Sequence, residues 1–128
     1  YLSSALGHQA CLLGFKALYF NTQKLMLKTK MSRLEGTAIK FFDRIAKTDL
    51  LILDDFGLTH LEKQHQLDLM ELIEDRHGKK STIIVSQLPV QSWYEVIGEE
   101  TIADAILDRL LHSSYRIELT GDSLRKKM

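Results

Sequence analysis

Leu50-Leu51-Ile52-Leu53-Asp54-Asp55 is the stretch on which the reading of this chain turns. An unbroken apolar run of this length is the pattern of a strand covered on both faces, as in a parallel sheet. Two adjacent carboxylates at the tip of such a dry strand are unfavourable unless something cationic meets them. The second strand of this kind is Ser81 to Ser86, ending in Gln87 and followed by Leu88-Pro89. If the two strands are neighbours, Ser86 and Gln87 lie beside the acid pair.

Outward from these two, helical and extended segments alternate. Apolar residues at helical spacing predict helices over Leu2–Leu13, with Gly14 as cap, over Thr22–Leu34, followed by Gly36, and over Thr37–Lys47. A long helix from about Glu62 to Arg76 stops at Gly78, and Thr101–Leu111 is the last clear helix. Lys16–Phe20 reads as a short strand and Tyr115–Leu119 as a final one near an edge. Strands separated by helices imply right-handed crossovers and a parallel α/β sheet, whose ligands sit at the carboxyl ends of the strands. Asp54, Asp55, Ser86 and Gln87 all fall there.

Composition narrows the function classes. With 128 residues, one proline, 45% hydrophobic and 27% charged residues, the chain has the make-up of a globular domain rather than of a disordered or collagen-like one. The single Cys11 makes no internal disulfide and suits a reducing, cytoplasmic setting. Seventeen basic residues balance seventeen acidic ones, so no global electrostatic footprint for nucleic acid exists, although a local basic patch is allowed. No apolar run approaches the roughly 20 residues of a membrane-spanning helix, so no membrane partner is expected.

Four hydrophobic residues followed by two acids also match a Walker B motif. In that reading Asp54 holds Mg²⁺ through its water shell and Asp55 orients or deprotonates the attacking water. The competing reading is a strand followed by a turn, Asp54-Asp55-Phe56-Gly57, in which an Asp caps the next segment. The hexapeptide alone leaves both open. Arg109 adds weight to the first, because its helical neighbours Ala105, Ile106, His112 and Ser113 offer no carboxylate at i±3 or i±4. Its partner is either a distant carboxylate, solvent, or a nucleotide phosphate, the last in a neighbouring subunit.

Other features have plainer readings. On the Thr22–Leu34 helix, lines of basic residues, Lys24 with Lys28 and Lys30 with Arg33, flank a stripe of Leu27, Met31 and Leu34. That face suits a solvated amphipathic helix, or one lying on a DNA backbone. Asp68, Glu71 and Asp75 make an acidic face expected to be solvated. Trp93-Tyr94 is expected in the core or at a subunit contact, and the five histidines show no metal-ligand spacing. The tail from Gly121 to Lys127 is basic, as solvated termini often are.

Together, Leu50–Leu58, Ser81–Pro89, Ile102–Leu110 and Arg116–Leu119 running into Gly121-Asp122-Ser123-Leu124-Arg125 resemble the IstB-like ATP-binding proteins. These are AAA+ helper ATPases of insertion-sequence transposition, related to the DnaC helicase loaders, and the resemblance covers essentially the whole chain. It implies a three-layer, parallel-sheet P-loop NTPase core that uses ATP and Mg²⁺. It implies Asp54 as the Mg²⁺-linked acid, Asp55 as the catalytic acid, and Gln87, with Ser86 beside it, at the sensor I position. Arg109 resembles an arginine finger acting across a subunit boundary, and Arg125 the arginine called sensor II. The implied partners are further copies of the chain, DNA, and a transposase or, in the helicase-loader alternative, a replicative helicase.

One departure is large. No G-x-x-x-x-G-K-[ST] loop occurs in the sequence, and the backbone N–H groups and lysine of such a loop are what cradle the β- and γ-phosphates. The expectation is therefore a partial AAA+ domain over residues 1–128, without the first, central strand and phosphate loop, that binds ATP weakly or not at all by itself. A metal-dependent nuclease using Asp54-Asp55 and a non-catalytic interaction module are the other classes. The nuclease would want a third acid or a lysine where this chain offers Ser86-Gln87.

Overall fold

The computed structural model describes residues 2–112. The expected strand at 115–119, the basic tail and Arg125 lie outside them. Three parallel strands, β1 (Ala17–Asn21), β2 (Leu50–Asp54) and β3 (Ser81–Ile84), form a sheet in the order β1-β2-β3. The register pairs Asn21 with Asp54 and Leu53 with Ile84, so the three strands end at one level. Buried residues run from Leu50 to Leu53, as expected of a strand covered on both faces, whereas β3 is partly exposed and, among the described residues, pairs on one side only.

Helices α1 (Leu2–Leu12), α2 (Thr22–Glu35), α3 (Ala38–Lys47), α4 (Lys63–Arg76) and α6 (Glu100–His112) lie within two residues of their expected bounds. Gly7 lets α1 approach the sheet, since a Cβ there would meet Ile52 Cδ1 at 3.0 Å. A 3₁₀ turn at Val90–Ser92 and the short α5 (Trp93–Ile97) were not expected. Trp93 is buried, stacks edge-on against Phe56 with ring centroids 4.9 Å apart, and donates from Nε1 to Leu88 O at 3.1 Å.

The core joins Leu25 and Met26 of α2 and Phe42 and Ile45 of α3 to Leu69 and Leu72 of α4 and Ile106 and Leu107 of α6. α2 therefore turns inward a face other than the Leu27–Met31–Leu34 stripe. Leu25, Met26, Thr29 and Ser32 are buried, while Leu27, Met31 and Leu34 are exposed by 56%, 48% and 81%. The polar members of the buried face are satisfied locally: the Thr29 hydroxyl donates to Met26 O and that of Ser32 to Thr29 O, each at 2.7 Å. Hydroxyls paired with their own backbone enter a core at small cost.

The acidic face of α4, expected to be solvated, is not wholly so. Asp68 is buried, not solvated, and its Oδ1 accepts from Arg33 Nη2 at 2.5 Å and from Gln64 Nε2 at 3.0 Å. Glu71 and Asp75 are exposed. One basic residue of α2 is thus held by an ion pair to α4.

Arg76 organises the opposite end of the sheet from the acids. Its buried guanidinium donates to Ile45 O and Thr48 O, both at 2.6 Å, to Thr82 Oγ1 at 2.9 Å, and to Ser81 O. One side chain thereby ties the last turn of α3 and the start of β3 to α4. Burial lowers its pKa to about 10.

Candidate functional site at the strand tips

The carboxyl ends of the strands collect the acids as expected. Asp54 ends β2, Asp55 follows, and both are partly buried. Asp55 has φ +55°, the left-handed region that residues other than glycine rarely adopt. Its backbone N–H donates to Asp54 Oδ1 at 2.8 Å, so the bend turns the two carboxylates away from a simple strand alternation. Strain of this kind persists where surrounding contacts hold it.

Those contacts come from β1 and the start of α2, which the sequence reading had not assigned to the site. The Tyr19 hydroxyl donates to Asp54 Oδ2, and this hydrogen bond pushes the tyrosine pKa up to about 12, with burial and the charges of Asp54 and Asp55 acting in the same direction. Asn21 Nδ2 donates to Asp55 Oδ2 at 3.0 Å. The other end of the same amide accepts from Gln23 N at 3.0 Å and Lys24 N at 3.3 Å, capping α2. The Thr22 hydroxyl donates to Asp54 O at 2.8 Å. A visible signal was Asn21-Thr22, a helix-capping pair placed directly at a strand end.

β3 is the neighbour of β2, and its tip reaches the acids. Val85 N donates to Leu53 O at 2.8 Å and Phe56 N to Val85 O at 3.0 Å, which carries the pairing past the formal end of β3. The Ser86 hydroxyl donates to Phe56 O at 2.5 Å and accepts from Leu88 N at 3.1 Å, so it shapes the loop. Gly57, at φ +98°, packs so closely on this loop that a Cβ would come within 2.7 Å of Leu88 Cδ1. Gln87 is exposed beside it.

Arg109 sits elsewhere. Its guanidinium donates to the Glu74 carboxylate of α4 and to Ala105 O at 3.0 Å. Glu74 lies two residues before Arg76, which bonds Ser81 at the start of β3. This end of the sheet is separated from Asp54 by ~13 Å along β2, at ~3.3 Å per residue. Within one chain, Arg109 and the acid pair are therefore apart. The distant-carboxylate partner foreseen for Arg109 exists in the fold.

The donors at the tip fit Mg²⁺ better than a softer metal. They are hard carboxylate oxygens on a half-buried ledge, and Mg²⁺ is typically held by one or two carboxylates with waters and phosphates completing its shell. Among the described residues no group of three or more His, Cys, Asp or Glu is placed to hold a metal by itself, so a Mg²⁺ held here would take its remaining ligands from water and phosphate oxygens. Asp55 also lines a cavity of about 180 Å³ with Thr22, Gln23, Thr59, His60 and His65. That volume lies below the roughly 300 Å³ at which ligand pockets begin, so it suits water rather than a nucleotide.

Solved structures share the fold. DnaA from Aquifex aeolicus, bound to AMPPCP, superposes with a TM-score of 0.73 over 85% of this chain and 34% of that one at 19% identity. A DnaI structure gives 0.69 over 81% and 57% at 22% identity, and the DnaC helicase loader 0.60 over 75% and 59% at 21%. The fold is that of the AAA+ P-loop NTPases.

Sequence relatives are nearer. A Sinorhizobium fredii protein described as an insertion sequence ATP-binding protein, y4pL, is 47% identical over 98% of this chain and 51% of its own length. The corresponding protein of insertion sequence IS1162 from Pseudomonas fluorescens is 45% identical over 70% of this chain and 38% of its own length. The chain thus spans about half the length, or less, of these relatives. The family described as IstB-like ATP binding protein matches residues 1–128 throughout. This chain, with its acid pair at the tip of a buried central strand, belongs to the IstB-like ATP binding protein family.

Proposed function

We propose that the chain is the part of an AAA+ helper ATPase that carries its hydrolytic acids and its subunit-bridging arginine, acting on DNA in insertion-sequence transposition. The observation that carries this reading is the acid pair held by Tyr19, Asn21 and Thr22 at the strand tips. Such a ledge, built from three separate side chains and a left-handed backbone, is more than a capping turn requires.

Each residue has a task. Asp54 presents a carboxylate oxygen to the water shell of Mg²⁺. Asp55, lining a water-sized cavity, orients the attacking water and accepts its proton. Gln87, in the loop that follows β3, donates to a γ-phosphate oxygen or to the same water. Mg²⁺, when bound, neutralises charge developing on the phosphate oxygens. Arg109, remote from its own acids, acts on the nucleotide of a neighbouring copy in a homo-oligomer, and Arg125 on a phosphate as the sensor II arginine. The glycine-rich cradle for the β- and γ-phosphates is absent from these 128 residues, so tight ATP binding needs residues outside them. The relatives at 39–47% identity are proteins of insertion sequences, which favours a cytoplasmic transposition helper that recruits a transposase to DNA over a replicative helicase loader.

The test is a pair of titrations with a fluorescent ATP analogue and Mg²⁺. The full-length protein is expected to bind at micromolar concentration and residues 1–128 not to bind. Micromolar binding by residues 1–128 would overturn the assignment of the phosphate cradle. A full-length Asp55→Asn variant that hydrolysed ATP at the parent rate would overturn the catalytic assignment.

A further inference from the structure

The two acids at the strand tip are held by different side chains. Asn21 Nδ2 donates to Asp55, whereas the Tyr19 hydroxyl donates to Oδ2 of Asp54. The strand register makes the second bond possible. Tyr19 is level with Ile52, and Asp54 follows Ile52 by two residues, so the phenol and the carboxylate stand on one face of the sheet as diagonal neighbours. A diagonal of roughly 7–8 Å is within reach of an aromatic side chain. Leu18 and Phe20, on the other face, pack on the core that holds Leu51 and Leu53, while Ile52 lies against Gly7 of α1.

Asp54 is thereby clamped at both oxygens. Oδ1 accepts from Asp55 N at 2.8 Å, and Oδ2 accepts from Tyr19. An ionised carboxylate offers about four lone-pair directions, so one stays open on each oxygen while the carboxylate plane is fixed. Packing does not demand the Tyr19 bond. The residue is 49% exposed, and water satisfies a hydroxyl in such a place without a protein partner. A phenylalanine would fill the same space. What the hydroxyl adds is the orientation of Asp54.

We infer that Tyr19 is a positioning residue for metal binding, fixing the carboxylate of Asp54 so that its open lone pairs meet the water shell of Mg²⁺. The inference rests on the proposed role of Asp54 toward that ion. Waters around Mg²⁺ keep a near-ideal octahedral arrangement, so an acceptor for one of them works only from a fixed position. Thr22 donates to Asp54 O, which steadies the backbone but leaves the carboxylate free to turn. Because Asp55 has Asn21 as its own holder, losing the Tyr19 hydroxyl acts on metal-dependent binding first and on the attack of water second.

The experiment measures the affinity of full-length protein for a fluorescent, non-hydrolysable ATP analogue, once with saturating Mg²⁺ and once in EDTA, with circular dichroism melting to check folding. Tyr19→Phe is expected to weaken binding with Mg²⁺ about 10-fold, the lower end of the range for partners that orient metal-site carboxylates. Its affinity in EDTA and its melting curve should match the parent's. In steady-state hydrolysis the KM for MgATP should rise and kcat fall by a smaller factor. Asp54→Asn should lose at least as much of the Mg²⁺-dependent affinity. Tyr19→Phe/Asp54→Asn should lose no more than Asp54→Asn alone, since the hydroxyl then has no carboxylate to orient. Parent-like Mg²⁺-dependent binding by Tyr19→Phe, beside weakened binding by Asp54→Asn, would overturn this inference and leave the ATPase reading standing. Parent-like binding by Asp54→Asn would overturn the Mg²⁺ role of Asp54 and the inference with it. A further loss in the double variant, or an equal loss with Mg²⁺ and in EDTA, would give Tyr19 a purely structural task and overturn the inference too.

Discussion

Arg109 of α6 donates to the carboxylate of Glu74 on α4, and so a side chain with no acid within reach on its own helix is held by the neighbouring one. Both groups are partly exposed, and an ion pair of this kind contributes about 0–1 kcal/mol. The pair parks the guanidinium without locking it. Arg109→Ala is therefore expected to change stability by less than about 1 kcal/mol while lowering ATP turnover of the assembled full-length protein about 10³-fold, the scale of an arginine finger. Glu74→Gln should keep turnover. Steady-state phosphate release and thermal melting of both variants check this; equal losses in the two would assign Arg109 a structural role.

Asn21 serves two ends at once, capping α2 through Oδ1 and steadying Asp55 through Nδ2. Asn21→Ala should cost about 1 kcal/mol from the lost cap. Asn21→Asp keeps a good capping residue but sets a second carboxylate against Asp55. The two variants should thus separate: the first loses stability, while the second retains the α2 cap and perturbs hydrolysis. Urea unfolding beside ATP turnover makes the comparison.

Removing the Arg76 guanidinium takes a donor from Thr48 O and Ser81 O and leaves Ile45 O with Thr48 N. Arg76→Met, similar in length and apolar, is expected to destabilise by about 1–3 kcal/mol, the range for leaving buried neutral acceptors unpaired. Arg76→Lys should recover only part, because a single ammonium cannot span the acceptors reached by a planar fork. Denaturant midpoints with unchanged slope would verify it.

Asp49 joins the starts of the strands. Its Oδ2 accepts from Lys16 N at 2.8 Å and its Oδ1 from Lys80 Nζ at 3.0 Å, and these bonds, the backbone one foremost, hold the carboxyl below its ordinary 3.8. A carboxyl lowered on folding contributes stability that is present above the unfolded value and is lost as pH falls through the folded one. Asp49→Asn should therefore reduce the loss of stability between about pH 5 and 2, measured as the urea midpoint against pH. An unchanged acid limb would exclude Asp49 from it.

Most strands and helices were legible because their periods run for many residues. β2 declared itself by an apolar run with no alternation, and α4 by a long pattern ended at Gly78. α5 was not legible, since the five residues Trp93–Ile97 are too few to show a helical period. The inward face of α2 was not legible for a different reason. That helix has apolar residues on two sides, Leu25 with Met26 and Leu27 with Met31, and periodicity alone does not choose between them. The choice follows from where β1 ends and how Asn21 caps the helix. Asp68 looked like one more surface acid because its partner, Arg33, is 35 residues away.

The sequence by itself determined the kind of sheet, the position of the acid pair at a strand tip and the absence of a glycine-rich phosphate cradle, because these depend on residue type and short-range order. Tertiary structure decided which side chains meet. It set Tyr19 and Asn21 on the acids through the β1–β2 register, buried Asp68 and Arg76 among partners far along the chain, and moved Arg109 to the other end of the sheet from the site it is proposed to serve. Contacts of this sort depend on how strands align and helices pack, and neither has a local signature in the chain.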